Sequence, residues 1–244
     1  MTAPSSLLSG GTIDASSSSV LTLALASAVN VASLVTPLTI FLWANGSGIT
    51  FGGTSGGTGN ITDSVGNTYV PIAAAASQAT APATSCQGFI CLAPTALVTS
   101  TTTATVYRSG SAASFAADWV QWPGYKGTYD GAQNETTGSG TPLAPGAITL
   151  AQAASVVCVV GGSGSSTTGL GAGATQGNYS TYTNTGSSST RSAFWGWVLP
   201  GASGSYTPSV VMSGTGGQAW SGYDFALELA TTTASGIALG GIVL

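Results

Sequence analysis

Short segments rich in β-branched and aromatic residues alternate with clusters of Gly, Ser, Thr and Asn along the whole chain. Apolar positions do not recur with the 3.6-residue period of a long helix, and short apolar runs between turn residues are typical of β-sandwiches and barrels. The pattern predicts these strands: Val20–Ala26, Leu38–Ala44, Ile61–Asp63, Thr68–Ile72, Gly88–Leu92, Ala104–Arg108, Ala117–Trp122, Ile148–Leu150, Ser155–Val160, Ala193–Leu199, Ser209–Ser213 and Tyr223–Leu229.

Two of these segments are apolar at every position. Alternation along a strand places Trp195 and Trp197 on one face and Phe194 and Val198 on the other. The segment Val156–Val160 has the same character. Such runs indicate central strands that are covered on both sides, by a facing sheet and by a loop or a neighbouring subunit.

The expected fold class is all-β: an antiparallel β-sandwich, jelly-roll-like, with long loops rich in Gly, Ser and Thr. A chain of 244 residues is long enough for one large all-β domain or, alternatively, for two small ones. We assign residues 1–16 to an N-terminal arm, 17–230 to the sandwich and 231–244 to an apolar C-terminal tail. Three long segments contain no predicted strand: Ala44–Asn60, Pro123–Pro145 and Gly161–Arg191. Loops of such length are usually functional or make contacts with other molecules.

Charge is scarce: the chain has three Lys plus Arg, seven Asp plus Glu and no His. The charged fraction is 4%, against about 25% in ordinary soluble domains. With Arg108, Lys126 and Arg191 as the cations, binding to a phosphate backbone or to anionic lipid is not expected. We therefore expect neither nucleic acid nor a membrane as partner. Without His, metal and haem sites are not expected either, and no cofactor is predicted.

The three cysteines allow two interpretations. A bridge between Cys86 and Cys91 would close a small loop and stabilise the fold by about 2 kcal/mol. Alternatively, Cys86, Cys91 and Cys158 are small buried apolar side chains with free thiols.

Acidic residues next to aromatic ones are the candidates for catalysis. Asp118, Asp130 and Glu135 lie near tryptophans and tyrosines, and Asp224 and Glu228 share one face of the last strand. A glycosidase needs two opposed carboxyls about 5–10 Å apart, but scattered acids produce such pairs by chance. No His is present to activate a serine nucleophile. We expect no enzymatic activity.

Turn-forming acids are also candidates for calcium binding. Asp63, Asn67 and Asp130 supply oxygen ligands near turns, but no segment has the acid density of a calcium loop. We expect these residues to form Asx-turns instead.

A resemblance to a known module rests on two segments. The hairpin Thr62–Tyr69 contains Asp-Ser-Val-Gly-Asn-Thr-Tyr, with Gly66 and Asn67 suited to positive φ. The segment Gly201–Pro208 ends in Gly-Ser-Tyr-Thr-Pro. With the strand order over residues 20–230, they resemble the jelly-roll or immunoglobulin-like β-sandwich modules of bacteriophage virion proteins and bacterial surface proteins. The resemblance implies a capsid-decoration, head-fibre or tail-fibre subunit, and no shared catalytic residues.

The expected function is therefore that of a virion structural protein that packs against other virion proteins and copies of itself. Trp119, Trp122 and Tyr125 straddle a strand end and a loop, and are predicted to contact a partner. The apolar tail supplies the other predicted contacts: Ile237, Leu239, Ile242 and Leu244. The alternatives are an extracellular or cell-surface carbohydrate-binding or adhesin module, which stacks a host-surface glycan on tryptophans, and a self-assembling filament subunit.

Overall fold

A computed structural model describes residues 6–10, 19–24, 37–44, 48–72, 77–80, 83–94, 101–110, 115–140, 143–163, 181–188, 191–209 and 219–230. In these ranges the secondary structure consists of strands and turns, and every strand pair is antiparallel. The prediction of an all-β antiparallel fold is confirmed. The strands are β1 (Ser6–Gly10), β2 (Val20–Ala24), β3 (Leu38–Ala44), β4 (Phe51–Gly52), β5 (Ile61–Thr62), β6 (Thr68–Pro71), β7 (Ser77–Thr80), β8 (Ala83–Cys91), β9 (Thr103–Arg108), β10 (Phe115–Gln121), β11 (Tyr125–Tyr129), β12 (Asn134–Ser139), β13 (Ile148–Leu150), β14 (Val156–Ser163), β15 (Thr181–Ser188), β16 (Arg191–Val198), β17 (Gly204–Tyr206) and β18 (Ala219–Leu229).

Two large sheets form the centre of the molecule. The first sheet has the order β1-β10-β3-β8-β6-β5, and β7 also pairs with β8. The second sheet has the order β11-β18-β14-β16-β15, and β12 also pairs with β18. Two small sheets complete the structure: the outer sheet, β2-β9-β4, and the two-stranded sheet β13-β17.

Three separate cores lie between these four layers. The first core packs the outer sheet, through Val106, against the first sheet, through Ile40 and Leu42. The second core packs the opposite face of the first sheet, including Phe41, against Phe225 and other residues of the second sheet. The third core packs Val157 and Val159 of the second sheet against Ile148 and Leu150 of β13, with Leu143 beside them.

The layered packing explains why some strands are apolar on both faces. Side chains alternate along a strand, so β3 sends Leu38, Ile40 and Leu42 into the first core and Phe41 and Trp43 into the second. In β14, Cys158 and Val160 enter the second core while Val157 and Val159 enter the third. The prediction that Val156–Val160 is a central strand is confirmed, and the second cover is the small sheet β13-β17 of the same chain.

Strands occur in segments that were expected to be long loops. Pro123–Pro145 contains β11 and β12, Ala44–Asn60 contains β4, and Gly161–Arg191 contains β15. The sequence of β12 is Asn-Glu-Thr-Thr-Gly-Ser, and its positions are alternately half-buried and exposed. An edge strand of this kind is held by backbone pairing to β18 rather than by apolar side chains, so hydrophobic periodicity could not reveal it.

The predicted arm and tail have different outcomes. Ser6–Gly10, part of the segment assigned to the N-terminal arm, pairs with β10 as an edge strand of the first sheet. The tail residues Ile237, Leu239, Ile242 and Leu244 lie outside the described residues, as does most of the predicted strand Ser209–Ser213.

Candidate functional site

Most of the charged side chains that the structure describes lie inside the protein. Side chains are described for every charged residue except Asp14 and Arg191. Five of these eight side chains are buried, with exposed fractions between 0% and 4%: Asp63, Arg108, Asp118, Asp130 and Asp224. In the described part of the chain, the charged groups that reach the surface are Glu135 and the ion pair of Lys126 with Glu228. The described exterior is therefore almost uncharged.

Asp63 organises the hairpin between β5 and β6. Its Oδ1 accepts hydrogen bonds from the backbone N–H groups of Val65 (3.1 Å) and Asn67 (2.9 Å), and Gly66 has a φ of 95°. Its Oδ2 accepts from Asn67 Nδ2 (2.9 Å) and the Tyr69 hydroxyl (3.1 Å). The predicted Asx-turn is confirmed. Burial and the neighbouring Asp63 hold the pKa of Tyr69 well above its usual value, so this hydroxyl remains a donor.

Asp118 lies in the second core, between the two large sheets. It is 1% exposed, and the indole Nε1 of Trp195 donates a 2.8 Å hydrogen bond to its Oδ2. A buried carboxylate is tolerated only when its hydrogen bonds are made, so this contact fixes how β10 and β16 face each other.

Asp130 joins the end of β11 to the turn that follows β13. It accepts hydrogen bonds from the backbone N–H groups of Ala151 (2.7 Å) and Gln152 (3.1 Å), and from the hydroxyl of Ser155. Burial would raise the pKa of Asp130, but these hydrogen bonds and the charge of Lys126 outweigh it and the net shift is downward. Asp130 therefore does not form the expected Asx-turn: its hydrogen bonds go to residues more than 20 positions away and hold the turn that follows β13.

Asp224 and Glu228 share a face of β18 but have separate partners. The Asp224 Oδ1 accepts from the Nδ2 (2.9 Å) and the backbone N–H (3.3 Å) of Asn134, whereas its Oδ2 has no hydrogen bond. Burial raises the pKa of Asp224 to about 7, although the Asn134 hydrogen bonds oppose the shift. Glu228 pairs instead with Lys126 of β11.

The predicted aromatic contact site is wrong, because its residues lie in the cores. Trp119 and Trp122 are completely buried and Tyr125 is 5% exposed. Trp119 Nε1 donates to the Tyr69 hydroxyl (3.1 Å), and Trp122 Nε1 donates to Thr39 Oγ1 (3.0 Å). The other tryptophans are at most 8% exposed, so none presents a ring face to a glycan at the surface. These residues are Trp43, Trp195, Trp197 and Trp220.

Of the two interpretations of the cysteines, the structure excludes the disulfide between Cys86 and Cys91. Both lie on β8, five residues apart, so their Cα atoms are separated by about 16 Å. Their side chains point to opposite faces, Cys86 into the second core and Cys91 into the first. Together with Cys158 they are buried free thiols, which confirms the alternative interpretation. Burial raises the pKa of Cys86 to about 12 and that of Cys91 to about 11.

A polar groove lies on the outward face of the outer sheet. Its volume is about 310 Å³. Three segments line it: the outward positions of β9, the turn after β4, and the hairpin after β5. The lining residues are Gly53, Thr54, Asn60, Thr62, Asp63, Ser64, Thr103, Thr105 and Tyr107. Sequence reasoning missed this groove, although the alternation of Thr103, Thr105 and Tyr107 along one strand was a signal for a polar outward face.

Within the described ranges, no group of three or more His, Cys, Asp or Glu side chains is placed to hold a metal ion. The residues that the structure describes include no helix that could span a membrane. Comparisons with protein-family models, with curated proteins and with solved structures found no match to this chain.

Proposed function

We propose that this protein is a structural subunit of a bacteriophage virion, of the capsid-decoration, head-fibre or tail-fibre type. It packs against other virion proteins and against copies of itself, and it has no catalytic role. The observation that supports the proposal is the placement of charge: five of the eight charged side chains described are buried in the fold.

An exterior with few ions lowers the cost of forming an interface. Each ion that enters an interface must lose its hydration, at a cost of several kcal/mol unless it is paired. Hydroxyl and apolar groups avoid most of that cost, and buried apolar area contributes about 25 cal/mol per Å². The described surface also exposes the apolar side chains of Val20, Val65, Val70 and Leu229, each 37% to 43% accessible.

Hydrogen bonds in the core also join the two large sheets, and a fixed arrangement of the sheets favours assembly. Asp118 ties the two large sheets together through Trp195, and Trp43 Nε1 of the first sheet donates to the Gly161 carbonyl of the second at 2.9 Å. A rigid subunit loses little conformational entropy when it docks, so more of the contact energy remains as binding energy.

Two measurements test the proposal. Size-exclusion chromatography with light scattering of the full chain is expected to give a multimer, whereas a monomer at all concentrations would contradict self-packing. Immunogold electron microscopy tests the location in cultures of the source organism. Label on purified phage particles is expected, and label confined to the cell surface would favour the alternative of an adhesin or carbohydrate-binding module.

A further inference from the structure

We infer that the polar groove on the outer sheet is a binding site for a neutral, hydroxyl-rich ligand, and that the ligand's chemical class is a carbohydrate chain. The site is distinct from the buried tryptophans. The inference goes beyond the proposed packing function and does not depend on it.

The lining of the groove selects for neutral polar groups. Hydroxyl side chains and one amide dominate it: Thr54, Thr62, Ser64, Thr103, Thr105, Tyr107 and Asn60. Arg108, the cation nearest in sequence, alternates to the inner face of β9, where its Nη1 donates to the Gly110 carbonyl at 2.7 Å. Without a cation in its lining, the groove offers no charge-assisted contact to a phosphate, sulfate or carboxylate.

The one carboxylate in the lining is already occupied. Both oxygens of Asp63 accept hydrogen bonds from within the hairpin, from Val65, Asn67 and Tyr69. A carboxylate with this many donors is a fixed part of the floor rather than a base that attacks a ligand or a site for a cation. The groove therefore binds without reacting.

Tyr107 supplies the apolar part of the site. It is half-buried at an outward position of β9, two residues from Thr105 and four from Thr103. Alternate residues on a strand lie about 7 Å apart on one face, so ring and hydroxyls form a row along the groove. An aromatic ring beside polar groups is suited to a sugar, which has an apolar C–H face and a rim of hydroxyls.

The groove is built before any ligand arrives. Ser64 N–H donates to the Thr103 carbonyl (2.8 Å) and Thr103 N–H donates to Ser64 Oγ (3.0 Å), which clamps the hairpin to β9. In the turn, Thr54 N–H donates to the Thr58 carbonyl (3.0 Å). A Cβ on Gly53 would overlap the Asn60 carbonyl and lie 2.8 Å from the Ile61 Cα, so only glycine permits this approach. A preformed site avoids the entropy cost of ordering its walls.

The size of the groove sets the length of ligand. About 310 Å³ is at the lower end of the range for small-molecule sites, which is roughly 300–1,000 Å³. The groove accommodates one or two sugar units of a chain, so dissociation constants of about 0.1–1 mM are expected for short oligosaccharides.

Saturation-transfer difference NMR on the full chain tests the inference, because it reports ligand binding even to a large assembly. The probes are the neutral tetramers of β1,4-linked N-acetylglucosamine and α1,4-linked glucose, with the tetramer of α1,4-linked galacturonate as the anionic comparison. Saturable transfer to at least one neutral probe, and none to the anionic probe, is expected. No transfer to either neutral probe, or stronger transfer to the anionic one, would overturn the inference.

Variants locate the binding. Tyr107→Ala and Thr105→Val are expected to weaken binding about tenfold, which corresponds to about 1.4 kcal/mol, whereas Tyr107→Phe keeps the ring and most of the affinity. The matched control is Thr149→Val, an exposed threonine on β13 at the opposite side of the stack. Thermal unfolding of each variant confirms that it is folded. Unchanged binding by folded Tyr107→Ala and Thr105→Val, or equal loss in Thr149→Val, would overturn the assignment to this groove.

Discussion

The Nε1 of Trp195 in the second sheet donates a 2.8 Å hydrogen bond to the Oδ2 of Asp118 in the first sheet, inside the core that joins them. Trp195→Phe keeps an aromatic ring in place but removes the donor from a carboxylate that is 1% exposed. We expect a loss of about 1.5–3 kcal/mol in the free energy of unfolding, measured by denaturant titration, because hydrogen bonds to buried charged groups are in this range.

Trp197→Phe is the matched control for this prediction. Trp197 is on the same strand, contributes to the same core and makes no hydrogen bond to a carboxylate in the described structure. Its substitution should cost less than that of Trp195. Equal losses for the two variants would mean that the hydrogen bond to Asp118 contributes nothing beyond ring packing.

Asp224 gives the stability of the fold a predictable pH dependence. Its pKa is about 7 in the folded chain and about 3.9 in the unfolded chain, so the folded state holds the proton more tightly. The contribution of Asp224 to the free energy of unfolding is therefore greatest below about pH 4. It falls as the pH rises to about 7, and it is constant above that pH. The slope is at most about 1.4 kcal/mol per pH unit.

Two substitutions test this assignment in opposite directions. Asp224→Asn retains an oxygen for Asn134 and removes the charge, so unfolding free energy should become nearly independent of pH between about 5 and 8. Asn134→Ala removes the side-chain Nδ2 donor that opposes the shift and keeps the backbone N–H, so the decline should extend to higher pH. A decline that persists unchanged in Asp224→Asn would assign it to a different group.

Some features of the fold could be predicted from the sequence and others could not. The bounds of β3 were predicted correctly because all seven of its residues are buried, and a fully apolar run is a strong signal. The groove is built from three segments between Gly53 and Tyr107, which come together only where the β5–β6 hairpin of the first sheet meets the outer sheet. Trp119 and Trp122 were misplaced because the sequence does not reveal that β10 lies between layers on both of its faces.

Gly88 is required where the two large sheets approach each other. A Cβ at this position would overlap the buried Tyr223 hydroxyl and lie 2.7 Å from the Ile72 Cδ1. Gly88→Ala is therefore expected to cost about 1–3 kcal/mol through overpacking, measured as the free energy of unfolding. Adding Tyr223→Phe removes the overlapping hydroxyl and should recover part of that loss, so a double variant no more stable than Gly88→Ala would contradict this explanation.

The cysteines should remain unreactive while the protein is folded. Cys86, Cys91 and Cys158 are buried, and their pKa values are raised by burial, so little thiolate is exposed near neutral pH. Mass spectrometry after treatment with iodoacetamide should find no adduct on the native chain and three adducts on the chain denatured without reductant. Two thiols that become reactive only after reduction would indicate a disulfide and contradict the structure.

The most direct test of the proposed packing function is sedimentation velocity of the full chain across a salt series, from about 50 mM to about 1 M NaCl. Because the described exterior carries so few ions, screening has little to act on, and the multimer should keep its sedimentation coefficient throughout the series. Progressive dissociation as salt rises, or a monomer at every salt concentration, would contradict an assembly held by neutral surfaces.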